Sequence, residues 1–128
     1  MKIGLIGAGR LGICLALLIE KAGYEVLASD NRVDYINSLQ KGIIDTAEPE
    51  VQQYLSDAKN IEFTTDNTRV IAECDLIFTL VATPSLKDGS YDVSAVWKVI
   101  DDFKEIPILL DEKSLVIGCT TNPGDCND

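Results

Sequence analysis

The chain opens on Lys2-Ile3-Gly4-Leu5-Ile6-Gly7-Ala8-Gly9-Arg10-Leu11-Gly12. Its first five residues form a short apolar run, which is typical of a strand buried on both faces. Three glycines follow with the spacing G-x-G-x-x-G, and apolar residues then recur at helical intervals. The helix positions predicted to face inward are Leu11, Cys14, Leu15, Leu18, Ile19 and Ala22. A strand, a glycine-rich turn and a helix in direct succession predict a βα unit of a parallel sheet.

The glycine-rich turn has the spacing that a dinucleotide requires. Gly7 would allow a tight turn, Gly9 would let the backbone approach a pyrophosphate, and Gly12 would let helix and strand pack closely. Free N–H groups at the start of the helix, where Arg10 and Leu11 lie, would receive the charge of the pyrophosphate. A tight turn without a ligand is the alternative interpretation.

A second strand ends in an acid. Gly23 stands where a helix-ending glycine belongs, residues 25–29 predict a strand, and Asp30 follows it. The carboxylate of Asp30 is placed to accept hydrogen bonds from the adenosine ribose, completing a βαβ dinucleotide-binding unit. Arg32 would bind a 2′-phosphate or cover the adenine face. Because Asp30 would repel a 2′-phosphate, NAD is favoured over NADP as the cofactor.

The composition describes an acidic globular domain. Of the 128 residues, 46% are hydrophobic, which suffices for a packed core. The 21 acidic and 11 basic residues give a net charge of −10, which argues against nucleic acid or a membrane surface as a partner. With no apolar run of transmembrane length and no basic leader, we expect a cytoplasmic protein. Because histidine is absent and the cysteines are widely spaced, we expect no metal site.

Strands and helices continue to alternate after Asp30. Strands are predicted at 61–64, 76–81 and 115–118, and helices at 31–40, 50–59 and 68–74, with Asp66 or Asn67 as the N-cap of the last one. The inward positions of these helices and of one more near residue 97 are predicted as Val33, Ile36, Leu39, Val51, Tyr54, Leu55, Val93, Val96, Trp97, Ile100 and Phe103. Residues 106–113 and 119–128 predict no regular element. The fold class is therefore α/β, a single domain with a doubly wound, mostly parallel, Rossmann-like sheet.

The loop after the fourth strand carries a more specific signal. Residues 81–96, Val-Ala-Thr-Pro-Ser-Leu-Lys-Asp-Gly-Ser-Tyr-Asp-Val-Ser-Ala-Val, resemble the V-x-T-P-S…D-G-S-x-D-x-S motif of the UDP-glucose/GDP-mannose dehydrogenase family. Four further stretches resemble motifs of this family in the same order: residues 1–12, Glu48-Pro49, Phe63-Thr64-Thr65-Asp66 and Cys119-Thr120-Thr121-Asn122-Pro123-Gly124. The resemblance covers the whole chain.

The resemblance implies contacts to NAD from two threonines, which correspond to Thr83 and Thr120. The second is also implicated in catalysis, near the reacting sugar carbon. Alternatively, Thr83 only shapes the turn before Pro84 and Thr120 only ends a strand. Tyr35 stands where the family often has a cofactor-contacting lysine, and residues near Cys119 also depart from the family pattern.

The same resemblance implies an activity. The family oxidises the primary alcohol of a nucleotide sugar, such as UDP-glucose, to a carboxylate in two NAD-dependent steps, a reaction of polysaccharide biosynthesis. A cysteine beyond position 128 carries the thiohemiacetal and thioester intermediates. Residues 1–128 would then be the N-terminal NAD-binding domain of a larger, homo-oligomeric enzyme whose missing part binds the nucleotide sugar. The chain alone is expected to bind NAD without turnover.

Two other functions share parts of the pattern. Regulatory NAD-sensing modules of potassium transport have a similar length, a similar I-G-A-G-R-x-G start and an acid after the second strand. Cofactor domains of hydroxyacid dehydrogenases include some with Asn-Arg after that strand, which Asn31-Arg32 resembles one residue late. The loop at 83–92 favours the nucleotide-sugar dehydrogenases.

Overall fold

A computed structural model describes residues 1–46, 48, 50–81, 83–105 and 113–118. Their elements, in chain order, are β1 (Lys2–Ile6), α1 (Arg10–Lys21), β2 (Glu25–Ser29), α2 (Val33–Gln40), α3 (Val51–Asp57), β3 (Ile61–Thr64), α4 (Asn67–Glu73), β4 (Leu76–Thr79), α5 (Ser94–Glu105) and β5 (Ser114–Ile117). The five strands form one sheet of order β3-β2-β1-β4-β5, and every strand pair is parallel. This confirms the predicted Rossmann-like sheet.

The central strand β1 has no solvent-exposed face because its side chains alternate between two core layers. Ile3 and Leu5 pack in the layer formed with α1, α2 and α3. Ile6 lies in the opposite layer, which α4 and α5 cover. At Gly4 the sheet approaches α4 so closely that an added Cβ would lie 2.6 Å from Val70 Cγ1. A continuous apolar run is what such a strand requires.

Helix α1 buries a different face from the predicted one. Its buried residues are Gly12, Ile13, Ala16 and Leu17. Leu11 and Leu18, both predicted to face inward, are 67% and 54% exposed. The prediction is wrong for these two leucines because α1 contacts β1 most closely at Gly12, where an added Cβ would overlap the carbonyl oxygen of Gly7. The small residues Gly12 and Ala16 are buried together with Ile13 and Leu17, while Cys14, Leu15 and Ile19 are partly buried beside them.

Three other residues predicted to face inward are exposed, and Ala22, just past the end of α1, is the first of them. Val33, the first residue of α2, is 60% exposed, and burial in that helix begins at Ile36. Trp97 is 38% exposed, and the buried residues of α5 are Val96 and Val99. Spacing of three along α5 places these two valines on one face, and Trp97 lies beside it.

Several element boundaries also differ from prediction. β4 ends at Thr79 rather than residue 81, because β1 ends at Ile6 and offers no further partner after the bond from Leu80 N–H to Ile6 O. Helix α4 begins as predicted after Asp66, whose Oδ1 accepts from Thr68 N–H at 2.9 Å. The segments 106–112 and 119–128 lie outside the described residues.

Two kinds of feature are absent from the described part of the chain. None of its helices is long and apolar enough to cross a membrane. No three cysteine, histidine or acidic side chains within it are grouped so that they could hold a metal ion.

Candidate functional site: a dinucleotide cleft

The turn between β1 and α1 lies where the strand order reverses. β1 pairs with β2 on one side and with β4 on the other, so a crevice opens at the carboxyl ends of the strands. Gly7 has a φ of 100°, and an added Cβ there would lie 2.6 Å from the carbonyl oxygen of Leu80. At Gly12 an added Cβ would overlap the Gly7 carbonyl. The fold itself therefore requires glycine at both positions.

Gly9 differs because the fold has no need of a glycine there. Its φ of −71° and ψ of −161° are open to any residue. The nearest atom to an added Cβ would be Nη2 of Arg32, at 3.9 Å. The first bond of α1 runs from Ile13 N–H to Gly9 O, so the N–H groups of the preceding turn have no intrahelical acceptor. The missing side chain leaves space over these N–H groups, as a bound pyrophosphate would require.

A cleft of about 510 Å³ lies against this turn. Residues from β1, β2, α4, α5 and the end of β4 form its walls, among them Gly9, Asp30, Arg32, Asn67, Val81 and Lys98. It combines an apolar wall, free helix N–H groups and a carboxylate, the chemistry that an adenine ring, a pyrophosphate and a ribose need. The residues present therefore fit NAD. A larger groove of about 650 Å³ between α2, α3 and β3 contains none of the predicted site residues.

Asp30 directly follows β2, and its carboxylate is buried and fully hydrogen-bonded. Oδ2 accepts from Ala8 N–H at 3.2 Å and from Arg32 Nη2 at 3.0 Å. Oδ1 accepts from the backbone N–H of Arg32 at 3.0 Å and from its Nε at 2.8 Å. Burial opposes ionisation of this carboxyl, but the hydrogen bonds from Arg32 and Ala8 outweigh it and hold the pKa of Asp30 below its ordinary value. Asp30 is ionised at neutral pH, and Arg32 already occupies its outward acceptor positions.

Tyr35, on α2, contacts both Arg32 and the glycine-rich turn. Its ring centroid lies 4.2 Å from Cζ of Arg32, and its hydroxyl donates to the carbonyl oxygen of Ala8 at 2.5 Å. Burial raises the pKa of Tyr35, so the hydroxyl keeps its proton and remains a donor. The sequence identified this residue only as a departure from the lysine of the family pattern.

The loop after β4 is shaped by its own hydrogen bonds. Oδ1 of Asp88 accepts from the backbone N–H and the hydroxyl of Ser90, at 3.0 and 2.6 Å. Gly89 between them has a φ of 87°, which favours glycine. Oδ1 of Asp92 accepts from the backbone N–H of Ser94, where α5 begins. The polar residues of the D-G-S-x-D motif thus determine how the chain returns from the sheet to α5.

The structure brings some of the predicted cofactor contacts together. Gly7, Gly9, Asp30 and Arg32 line the cleft. The others lie elsewhere or are not described: Arg10 and Leu11 in the first turn of α1 with exposed side chains, Gly12 beneath the turn, Thr83 half-buried in the loop after β4, and Thr120 outside the described residues. Neither the Arg10 nor the Leu11 side chain lines the cleft, and the contacts of these two residues with a ligand stay predictions. The roles of Thr83 and Thr120 stay predictions.

Three polar residues of the cleft, Asn31, Asn67 and Lys98, were not predicted as site residues. Asn67 begins α4, and its Oδ1 accepts from the hydroxyl of Ser29 at 2.7 Å. Lys98 lies on the exposed side of α5. Asn67 could have been found from its place just after β3, since ligands bind at strand carboxyl ends. The sequence around Lys98 carries no such signal.

Comparison with known proteins gives the family. The sequence model of the UDP-glucose/GDP-mannose dehydrogenase family, NAD binding domain, matches residues 1–128. A Bacillus subtilis protein is 32% identical over 97% of this chain and 28% of its own length. The UDP-glucose 6-dehydrogenase of Rhizobium meliloti is 30% identical over 100% of this chain and 30% of its own length. The structure of GDP-mannose dehydrogenase from Pseudomonas aeruginosa matches all of this chain with a TM-score of 0.89 at 25% identity, over 30% of its own chain.

The chain thus spans about 30% of the length of these relatives. More distant structures share the fold alone, as does a 3-hydroxyacyl-CoA dehydrogenase from Archaeoglobus fulgidus with a TM-score of 0.58 at 21% identity. The family model covers the chain from end to end. The chain is therefore assigned neither to the regulatory sensing modules nor to the hydroxyacid dehydrogenases, the two alternatives that the sequence left open. The chain belongs to the UDP-glucose/GDP-mannose dehydrogenase family and comprises its NAD-binding domain.

Proposed function

We propose that this chain is the cofactor-binding part of a nucleotide-sugar dehydrogenase that oxidises the primary alcohol of a UDP- or GDP-linked sugar to a carboxylate. The observation that carries the cofactor half of the proposal is Gly9, whose open side lies over the N-terminus of α1 beside Asp30 and Arg32. The sugar half rests on the relatives, which include UDP-glucose 6-dehydrogenases and a GDP-mannose dehydrogenase.

When bound, NAD would supply the acceptor for a hydride from the alcohol and, in a second round, from the thiohemiacetal that a cysteine in the rest of the protein forms with the aldehyde. The residues of this chain hold that cofactor in place. The N–H groups and dipole of α1 bind the pyrophosphate locally, against the unfavourable field of a net charge of −10. Asp30 accepts ribose hydroxyls once Arg32 has moved aside. Thr83 and Thr120 are proposed to lie along the cofactor, with Thr120 near the reacting carbon.

The thiol that carries the covalent intermediates is proposed to lie in the rest of the protein. Of the two cysteines among the described residues, Cys14 lies half-buried on α1, and Cys74 is fully buried. Burial raises the pKa of the Cys74 thiol to about 11, so it is a poor nucleophile. Neither lines the cleft. The longer protein is also proposed to be cytoplasmic and homo-oligomeric.

The experiment compares this chain with the longer protein. Each is mixed with NAD and with UDP-glucose, GDP-mannose or UDP-N-acetylmannosamine, while reduced nicotinamide is followed by absorbance. The longer protein should form two reduced nicotinamides per sugar acid with one of these substrates and none with the free sugar. The chain alone should bind NAD in calorimetry with a Kd of about 0.1–1 mM and show no turnover, because it lacks the enclosing sugar domain. Turnover proportional to the concentration of the chain alone would contradict the proposal.

A further inference from the structure

The cleft contains a guanidinium that already has a carboxylate partner. Nε and Nη2 of Arg32 donate to the two oxygens of Asp30 at 2.8 and 3.0 Å, two parallel bonds in the fork geometry that arginine favours. The two partners are unequally buried: the side chain of Asp30 is 8% exposed and that of Arg32 is 56% exposed. The carboxylate is therefore fixed by the sheet, and the guanidinium is the partner that can leave.

Cofactor binding requires it to leave. With Ala8 N–H and the backbone N–H of Arg32 on its other lone pairs, Asp30 has no acceptor position free for a ribose hydroxyl while the guanidinium stays. The backbone bond anchors Arg32 next to Asp30 when its side chain moves. The ring of Tyr35, 4.2 Å away, offers a flat face on which the displaced guanidinium can remain at the cleft.

We propose that Arg32 is a latent phosphate-recognition residue: its guanidinium would bind a ribose 2′-phosphate, and only the charge of Asp30, its partner in the cleft, makes the cleft select a ribose with a free 2′-hydroxyl. This inference rests on the cofactor half of the proposed function. The planar fork that fits the carboxylate of Asp30 fits the oxygens of a phosphate monoester in the same way. Lys98 lines the same cleft and adds positive charge.

The alternative account needs only repulsion between Asp30 and the 2′-phosphate. The two accounts differ in what happens when the charge of Asp30 is removed. If repulsion is the whole cause, the protein should become indifferent to the 2′-phosphate whatever residue occupies position 32. If Arg32 is a masked phosphate site, removing the charge should release it, and NADP should then bind better than NAD only while Arg32 is present.

A double-mutant cycle decides between them. The parent chain, D30N, R32M and D30N/R32M are titrated with NAD and with NADP by calorimetry in one low-salt buffer. The D30N change preserves the shape of the side chain and a carbonyl acceptor for Ala8 N–H. We expect D30N to shift the affinity ratio toward NADP by about 100-fold, the size of one or two charge-assisted bonds, and D30N/R32M to shift it by less than about fivefold. Equal shifts with and without Arg32 would overturn the proposal.

Tyr35 provides a second, independent arm. In the D30N background, Tyr35→Phe keeps the ring beneath Arg32, whereas Tyr35→Leu removes it. We expect the first variant to retain the gain for NADP and the second to lose about two- to fivefold of it. An undiminished gain in the leucine variant would show that the stacking does not position Arg32.

Circular dichroism melting of every variant controls for folding. Should D30N not fold, Asp30→Ser replaces it in the same cycle, because a hydroxyl can also accept from Ala8 N–H. If the parent binds NAD and the D30N or Asp30→Ser variant shows no increase in affinity for NADP, only the role given to Arg32 is contradicted. The proposed function is tested by a different assay, the oxidation of nucleotide sugars by the longer protein, and its outcome does not depend on these affinities.

Discussion

Replacing Gly9 with valine should separate cofactor binding from folding. The perturbation is confined to the cleft, since the nearest atom to an added Cβ is Nη2 of Arg32 at 3.9 Å. Gly9 is the N-cap of α1, and a β-branched N-cap costs about 1 kcal/mol relative to glycine. The loss of backbone freedom in the unfolded chain offsets about 0.4–1 kcal/mol of that. The melting temperature of Gly9→Val should therefore fall by no more than about 5 °C.

The effect on the cofactor should be much larger. Two methyl groups at this position fill the space over the N–H groups of α1, where the pyrophosphate would lie. The Kd for NAD should rise by more than about tenfold, a loss of about 1.4 kcal/mol or more. Calorimetric titration and circular dichroism melting on the same preparation measure both quantities.

Two other glycines serve as matched controls. Gly12→Ala should destabilise the fold by about 3 kcal/mol or more, because its Cβ would overlap the Gly7 carbonyl and push α1 away from β1. Gly23, with a φ of 105° and no neighbour within 4 Å, should lose about 1–2 kcal/mol on change to alanine and bind NAD normally. If Gly9→Val binds NAD as the parent does, the glycine-rich segment is only a turn, and the interpretation of the cleft is refuted.

Three further predictions concern stability and reactivity. The pKa of Asp30 is lower in the folded than in the unfolded protein, so the stability that this carboxylate contributes is present above its ordinary pKa of about 3.9 and is lost as the pH falls through the lowered value. In urea unfolding at pH 2.5–6, the free energy of unfolding should therefore fall more steeply with decreasing pH for the parent than for D30N. Iodoacetamide at pH 8 should label Cys14 well before Cys74, whose thiol is fully buried and has a pKa raised to about 11; equal rates by mass spectrometry would mean that α4 opens readily. Lys113→Met should cost about 1–2 kcal/mol in urea unfolding and leave NAD affinity intact, since Nζ of Lys113 donates to two carbonyl oxygens at the end of α4, at 3.1 and 2.7 Å. An unchanged free energy of unfolding would show that these two hydrogen bonds contribute nothing.

The sheet was predictable because the strands carry their burial in their own composition. β1 and β4 are apolar without alternation, which is typical of strands in a parallel sheet that helices cover on both faces. The face of α1 was not predictable from hydrophobicity alone, because the point of closest approach to β1 admits only a small residue. Gly12 and Ala16 are buried with Ile13 and Leu17, whereas Leu11 and Leu18 are exposed. A pattern that ranks residues by hydrophobicity does not place Gly12 and Ala16 on the buried face.

The residues of the cleft were predictable in part, but their contacts were not. Asp30 and Arg32 could be found from their place after β2, and the sequence left open whether Arg32 would bind a phosphate or cover an adenine. The structure shows a third arrangement, in which it binds Asp30. That outcome depends on the rotamer of a long side chain and on where α2 places Tyr35, neither of which local sequence determines.

The three glycines of the turn carry different information about a ligand. Gly7 and Gly12 are fixed by backbone conformation and by the approach of α1 to β1, so both would be needed in a protein of this fold that bound nothing. Asp30 is ambiguous as well, because its ion pair with Arg32 gives its charge a partner without any cofactor. Among the three glycines, only Gly9 has neither a positive φ nor a close neighbour that would exclude a side chain. A pyrophosphate over the N-terminus of α1 supplies that reason, which is why a substitution at Gly9 tests the ligand and one at Gly12 tests only the fold.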